Sequence, residues 1–274
     1  MLKNKNIIKY PKSSFYWGIR ILNKEKRDAM FSIYDFCKKA DSIADNNNSE
    51  KEKKRKIKKL KKEINEIYRD NLNNAFRRNL KYYIEKYKLD KKYFLDIISG
   101  VEMDINNIMI CPKNNIFKLY CYRVAGAVGM ISLKIFGCYN FNSKNFGLRL
   151  ADALQTTNIL RDIKQDEKMG RLYIPIEILN SSGIKKNKIT HILNDKKFPE
   201  ACEKLSEYAD KNFELANKYL KLSEKKNLKS AILMMNTYKL LLKKLKKKGW
   251  DSFEERVNLT KIEKFYLFIK GIIF

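Results

Sequence analysis

Two stretches of the chain place oxygen-bearing side chains at helical spacing. In IYDFCKKADSIAD, Asp41 and Asp45 stand four apart, so on a helix both carboxylates project from one face about a turn apart. Tyr34 and Lys38 extend the same set, and at ~100° per residue the four occupy a stripe about 60° wide. Like charges at this spacing cost an isolated helix roughly 0.2–0.5 kcal/mol, which a divalent cation between them would more than offset. In LQTTNILRDIKQD, Asn158, Asp162 and Asp166 step by four and Gln155 precedes Asn158 by three. These four fall within about 80° of one face, and Leu154, Ile159, Leu160 and Ile163 surround them with apolar contacts. Carboxylates and an amide carbonyl are hard donors suited to Mg²⁺, with Mn²⁺ as the alternative. Such an ion takes one or two carboxylates and fills its other positions with water and substrate phosphate. Two such faces set opposite each other would clamp a diphosphate through bridging metal ions. Either stripe alone also reads as an exposed charged helix face; two of them within apolar helices, each beside a cation (Lys38, Arg161), favour a site.

Helices are what must hold these rows in place. Four prolines and ten glycines leave long uninterrupted segments, and the apolar spacing in most of them follows 3, 4, 7 rather than alternation. Helices are expected over about 24–45, 51–69, 72–87, 91–109, 116–137, 144–166, 198–222, 227–248 and 253–270, joined by loops at Asn46–Ser49, Cys111–Asn115, Gly137–Ser143 and Gly170–Asp195. No repeat and no Pro/Ser-rich linker divides the chain, so residues 1–274 are read as a single all-α domain.

Composition narrows the chemistry. One histidine, His191, sits in a polar stretch and reads as a surface residue, which leaves His-dependent triads and zinc sites without material. Neither GxGxxG nor GxxxxGK[ST] occurs. Five cysteines, Cys37, Cys111, Cys121, Cys138 and Cys202, show no paired spacing and read as free thiols of a reducing cytoplasm. The N-terminus, MLKNKNIIKY, lacks an apolar stretch of leader length, and no apolar run nears the ~18 residues of a spanning helix. The net charge of +28 suits nucleic acid, an anionic membrane or phosphorylated substrates, and equally a solvated basic surface. In KEKKRKIKKLKKEINEIYRD from Lys51, Ile57, Leu60, Ile64 and Ile67 recur at helical spacing, so the segment reads as an amphipathic helix with a basic outer face. It lacks the aromatic interleaving of a single-strand platform, and no specific nucleic-acid binding is expected. The ending KFYLFIKGIIF either docks on the domain or contacts a bilayer, where basic charge would attract anionic lipid.

At the acidic stripes the sequence resembles the squalene/phytoene synthase family, over about Ser13 to Arg256. SSFYWGIRIL with KRDAMFSIYDFCKKADSIAD, then YCYRVAGAVG from Tyr120, then LQTTNILRDIKQDEKMGRLYIP from Leu154 look like its signatures. SSFYWGIRIL, GVEMD at Gly100 and GRLYIP at Gly170 are most similar to bacterial presqualene diphosphate synthases of hopanoid pathways. The resemblance implies an isoprenoid-synthase-type helical bundle around a central cavity. It implies Asp41, Asp45, Asn158, Asp162 and Asp166 facing the metal, with Asp41 and Asp162 essential to catalysis, and Ser14, Tyr34, Lys38, Gln155, Arg161, Arg171 and Tyr238 on diphosphate groups. Tyr120 would stand near the reacting carbons, and Phe15, Val124, Gly126, Val128, Gly129 and Leu154 would border the prenyl tails. Small residues from Ala125 to Gly129 read equally as pocket floor and as helix packing. Two departures stand out. The family usually has Arg where this chain has Lys38, which keeps the charge but not the planar fork, and Ser42 follows Asp41 where a second aspartate is common.

The implied reaction joins two farnesyl diphosphates head to head into presqualene diphosphate. Diphosphate leaves only when its charge is neutralised, and the allylic cation left behind survives only behind dry walls. Tyrosine, water or released diphosphate remain candidates for the base. The alternatives are a phytoene synthase using geranylgeranyl diphosphate and a non-catalytic assembly factor of the same fold. No NADPH motif is recognised, which favours stopping before a reductive step.

Overall fold

A computed structural model of the chain describes residues 14–185 and 188–273. The N-terminal decapeptide weighed above lies outside the described residues. The chain forms helices α1 (Ser14–Arg20), α2 (Lys24–Asp45), α3 (Glu50–Ile67), α4 (Ala75–Lys86), α5 (Lys91–Ile105) and α6 (Asn114–Cys121). A π-helical turn, Tyr122–Gly126, leads into α7 (Ala127–Phe136), followed by α8 (Phe141–Lys168), α9 (Ile176–Ser181), α10 (Ile189–Leu193) and α11 (Phe198–Lys221). A 3₁₀ turn, Lys225–Leu228, precedes α12 (Lys229–Lys248), and α13 (Lys261–Ile273) closes the described chain. Among the described residues the only β-type pairing is an isolated bridge between Ile110 and Leu172, so the all-α expectation holds.

Local chemistry sets the ends. Asn23 accepts from the Lys26 amide at 3.0 Å and starts α2, which runs over the span expected from its apolar spacing. Ser49 and Asn74 do the same for α3 and α4. At α8 the cap is reciprocal: Asn140 accepts from the Ser143 amide and the Ser143 hydroxyl accepts from the Asn140 amide, each at 2.9 Å, satisfying two amides that the first turn leaves free. The basic segment from Lys51 is the outer helix α3, with Ile57, Leu60, Ile64 and Ile67 all buried.

Two differences from the sequence expectation have physical causes. The span 116–137 is not one α-helix, because the π-turn inserts a residue where α5 crosses it. A Cβ on Gly100 of α5 would lie 2.6 Å from Val124 Cγ1, so only glycine permits this approach. The last helix begins at Lys261 rather than near 253, because Thr260 and Glu263 cap each other: the Thr260 amide donates to Glu263 Oε2 at 2.7 Å and the Glu263 amide to Thr260 Oγ1 at 3.2 Å. The loop expected from Gly170 to Asp195 contains α9 and α10, and α1 was not anticipated. Asn114–Phe136, spanning α6, the π-turn and α7, is long and apolar enough by composition to cross a membrane, yet it packs against α5 and α8.

α8 lies against α11 along most of its length and also meets α7 and α12. With α1, α2, α5, α6 and the π-turn, the helices α7, α8 and α12 enclose a central cavity of about 420 Å³. Two loops are pinned at its rim. The Cys111 amide donates to Leu172 O at 2.7 Å and the Leu172 amide to Met109 O at 3.3 Å. Gly170 takes φ +73°, which lets the chain reverse after α8 so that the Arg171 amide returns to Asp166 O at 2.9 Å; a side chain there would strain the backbone.

Candidate active site

Both acidic rows open onto the one cavity. Asp41 and Asp45 come from the last turns of α2, and Asn158, Asp162 and Asp166 from the C-terminal half of α8. Between them stands Arg171, which reaches Asp45 Oδ1 at 2.9 Å and Ala44 O at 3.3 Å. Asp162 is held by two guanidinium groups. Arg161 donates to its oxygens at 2.8 and 2.5 Å, and Arg256, from the irregular stretch before α13, at 2.6 and 3.2 Å.

The electrostatics differ sharply between the acids. Asp41 is accessible from the cavity but otherwise surrounded by protein. Burial first, then the neighbouring Asp45 and Asp104 charges, push its carboxyl up to about 7, against the pull of Arg171. Asp166 rises to about 8 through burial and the adjacent Asp162. At Asp162 burial also acts upward, but the hydrogen bonds from Arg161 and Arg256 outweigh it and hold the group below the ordinary carboxylate range. Burying anionic groups so close together is unfavourable unless positive charge compensates.

This donor set fits a hard divalent cation. Its oxygens are four carboxylates and one amide, and Asn158 Oδ1 is buried with no hydrogen-bond partner among the described residues, an arrangement that ordinarily costs about 1–3 kcal/mol. Among the described residues no three acidic, His or Cys side chains gather around one point. That division suits an ion binding one or two carboxylates with substrate phosphate completing its shell.

Fifteen of the anticipated residues line the cavity: the five metal-facing positions, Tyr34, Gln155, Arg161 and Arg171 beside them, and Phe15, Tyr120, Val124, Val128, Gly129 and Leu154 along the apolar part. Tyr238 is buried one layer behind, its phenol meeting Arg161 and Asn158 and its ring meeting Phe15 edge-on at 6.3 Å. Lys38 lies on the exposed side of α2, outside the lining. Gly126 is turned away from the cavity, under Tyr122 and Leu148, so at that position packing, not pocket floor, is what the structure places. Ser14 begins α1, and its side chain lies outside the described residues.

Sequence reasoning missed Asp104, Tyr173, Gln165 and Met169, all on the lining, and Arg256 beside them. Asp104 accepts from Tyr120 at 3.1 Å and from Tyr173 at 2.8 Å, and the two rings are stacked with centroids 5.1 Å apart. The GVEMD stretch at Gly100, quoted above for the resemblance but given no role in the site, was the available signal for Asp104. Arg256 had none, being brought to Asp162 by tertiary structure alone.

Residues 8–263 match the family model described as squalene/phytoene synthase. The chain is 32% identical over 255 residues to a presqualene diphosphate synthase of Sinorhizobium fredii, covering 92% of this chain and 90% of the relative. It is 34% identical over 253 residues to a presqualene diphosphate synthase of Zymomonas mobilis, covering 91% and 86%. Among solved structures, a dehydrosqualene synthase in complex with ligand superposes with a TM-score of 0.81 at 23% identity, covering 97% of this chain and 93% of the other. That likeness establishes the isoprenoid-synthase-type bundle.

Proposed function

Since the chain belongs to the squalene/phytoene synthase family, and is thereby a prenyltransferase, we propose that it condenses two farnesyl diphosphates head to head into presqualene diphosphate. The observation that carries this reading is the division of one cavity into an oxygen-rich end, fed by α2 and α8, and an apolar end walled by Phe15, Val124, Val128 and Leu154. A diphosphate with an oily tail needs both ends. Residues 1–274 act as one catalytic domain.

Asp41, Asp45, Asn158, Asp162 and Asp166 would hold Mg²⁺, or Mn²⁺ in its place; bound there, the ion neutralises the charge that collects on the departing diphosphate. Arg161 and Arg171 add fixed positive charge at that end, and each guanidinium can grip two phosphate oxygens at once. Tyr34 and Gln155 supply neutral hydrogen bonds, Tyr238 braces Arg161 and Asn158 from behind the lining, and Ser14 and Lys38 are assigned to the diphosphates by the family resemblance alone. As the C–O bond breaks, its electron pair leaves with diphosphate. The apolar wall keeps water from the allylic cation until the double bond of the second substrate attacks; loss of one proton then closes the cyclopropane ring. Tyr120, buried on the same lining, is assigned the place beside that cation.

Peripheral contact with an anionic membrane on the cytoplasmic side belongs to the same proposal. α13 turns Ile262, Phe265 and Tyr266 outward at 81%, 61% and 63% exposure, a row of apolar side chains beside Lys261 and Lys264. No specific nucleic-acid partner and no NADPH step are proposed.

The deciding experiment incubates the protein with C15 or C20 prenyl diphosphate and Mg²⁺, with and without NADPH, and identifies products by mass spectrometry. A C30 cyclopropyl diphosphate plus pyrophosphate from C15 substrate, unaltered by NADPH, is the expected result. Turnover of C20 alone would transfer the chain to the phytoene synthases, and no product from either would favour an assembly factor.

A further inference from the structure

The direction of the hydrogen bonds around Tyr120 carries an inference that rests on the head-to-head reading. A phenol owns one proton. Tyr120 donates its proton to Asp104 Oδ2 at 3.1 Å and Tyr173 donates its own to Asp104 Oδ1 at 2.8 Å, with the two rings stacked at 27°. Asp104, Tyr120 and Tyr173 all border the cavity. The two hydroxyls also hydrogen-bond each other, so the three groups form one network that keeps both protons, and each phenol oxygen has only lone pairs for anything it meets outside. Bonds to an ionised acceptor also draw the phenol dipole toward greater negative charge on oxygen.

We propose that Asp104 is a positioning residue for the condensation, fixing the Tyr120 and Tyr173 hydroxyls so that the allylic cation meets oxygen lone pairs and not protons. Free to rotate, a phenol would spend part of its time presenting the positive end of its O–H bond to a cation, which raises the energy of the very species the wall must shelter. The fold invests in this arrangement: Asp104 lies one residue from the end of α5, and Tyr173 is held beside it by the backbone pairing of Leu172 with Met109 and Cys111. Asp104 acts through the two phenols. Its replacement should therefore alter what becomes of the cation more than how tightly substrate binds.

Asp104→Asn tests this, because an amide accepts from one phenol and must donate to the other, turning that hydroxyl around. With C15 diphosphate and Mg²⁺, three quantities are measured: kcat, KM, and the partition of ionised substrate between cyclopropyl product and the C15 alcohol formed by water. The expected result is a fall in kcat of about 100-fold with KM within about threefold, and a rise in alcohol share of about fivefold or more. Asp104→Glu, which keeps the charge, should recover part of the partition. Tyr173→Phe, which frees one Asp104 oxygen, should shift it in the same direction by a smaller factor, and decides the matter if the Asn variant does not fold. An unchanged partition in these variants, from a wild type that does make the cyclopropyl product, overturns the inference alone. A wild type that makes no such product overturns the head-to-head reading and this inference with it.

Discussion

At the scale of single residues, the site is a balance between acids that resist ionisation and one that is fully committed to it. Asp162 is ionised between Arg161 and Arg256, so Asp162→Asn removes both a ligand oxygen and the anchor for two cations. Turnover should fall on the order of 100-fold or more with helix content by circular dichroism unchanged; wild-type activity would remove Asp162 from the proposed metal set. Asp41 and Asp166 behave in the opposite sense, raised to about 7 and about 8. In the unfolded chain aspartates lose their protons near 3.9, so from there upward the folded state binds more protons than the unfolded state. Their contribution to stability is complete below the unfolded value, is withdrawn progressively as pH rises above it, and is fully lost once pH has passed about 7 and about 8. Without metal, the melting temperature should therefore decline from about pH 4.5 and level off near about pH 8, and Asp166→Asn should flatten that decline; an equal slope in the variant would refute the assignment. Asp41, Asp45, Asn158, Asp162 and Asp166 were legible because each row lies on one continuous helix, where spacing alone fixes direction. Asp104 and Arg256 were not, since their partners lie 16 and 94 positions away.

At the scale of elements, caps and one crowded crossing do the positioning. The reciprocal cap at Asn140 starts the helix that carries Asn158 and two of the acids, and Asn140→Ala should lower unfolding stability in urea by about 0.5–2 kcal/mol with little change in KM. A loss below a few tenths would mean that packing against α11 alone defines that end. Gly100 is different in kind, because a Cβ there meets Val124 at 2.6 Å. The apolar periodicity of α2, α3, α5, α8, α11 and α12 made those helices readable. The π-turn was not readable, as YCYRVAGAVG has the same apolar spacing with or without an inserted residue. α1, α9 and α10 are too short for a period to emerge, and the TKIE cap at Thr260 was overlooked in favour of the apolar run beyond it.

At the scale of the whole molecule, the charge of +28 is spread over an exterior whose interior chemistry is anionic. The long basic helix α3 spends its lysines on solvent and its isoleucines on the core, as its amphipathic spacing implied. On α13 the outward residues are apolar, and this is where a lipid surface would meet the protein. In flotation assays with vesicles, the full chain should bind phosphatidylglycerol-containing bilayers and not phosphatidylcholine alone, with binding reduced by salt. Ile262→Ser with Phe265→Ser should weaken it severalfold while leaving turnover of dispersed substrate intact. Equal flotation of wild type and variant would place the contact elsewhere. Arg256 adds a consequence for anyone shortening this chain. Its guanidinium travels back from the segment ahead of the terminal helix to neutralise an acid in the middle of the catalytic floor, so the tail is wired to the chemistry. A cut made just after Thr260 spares that counter-ion while removing Leu267 from the core, Phe268 from Trp17 and Glu263 from Lys244, whereas a cut a few residues earlier also unplugs the counter-ion and would pass for an active-site lesion.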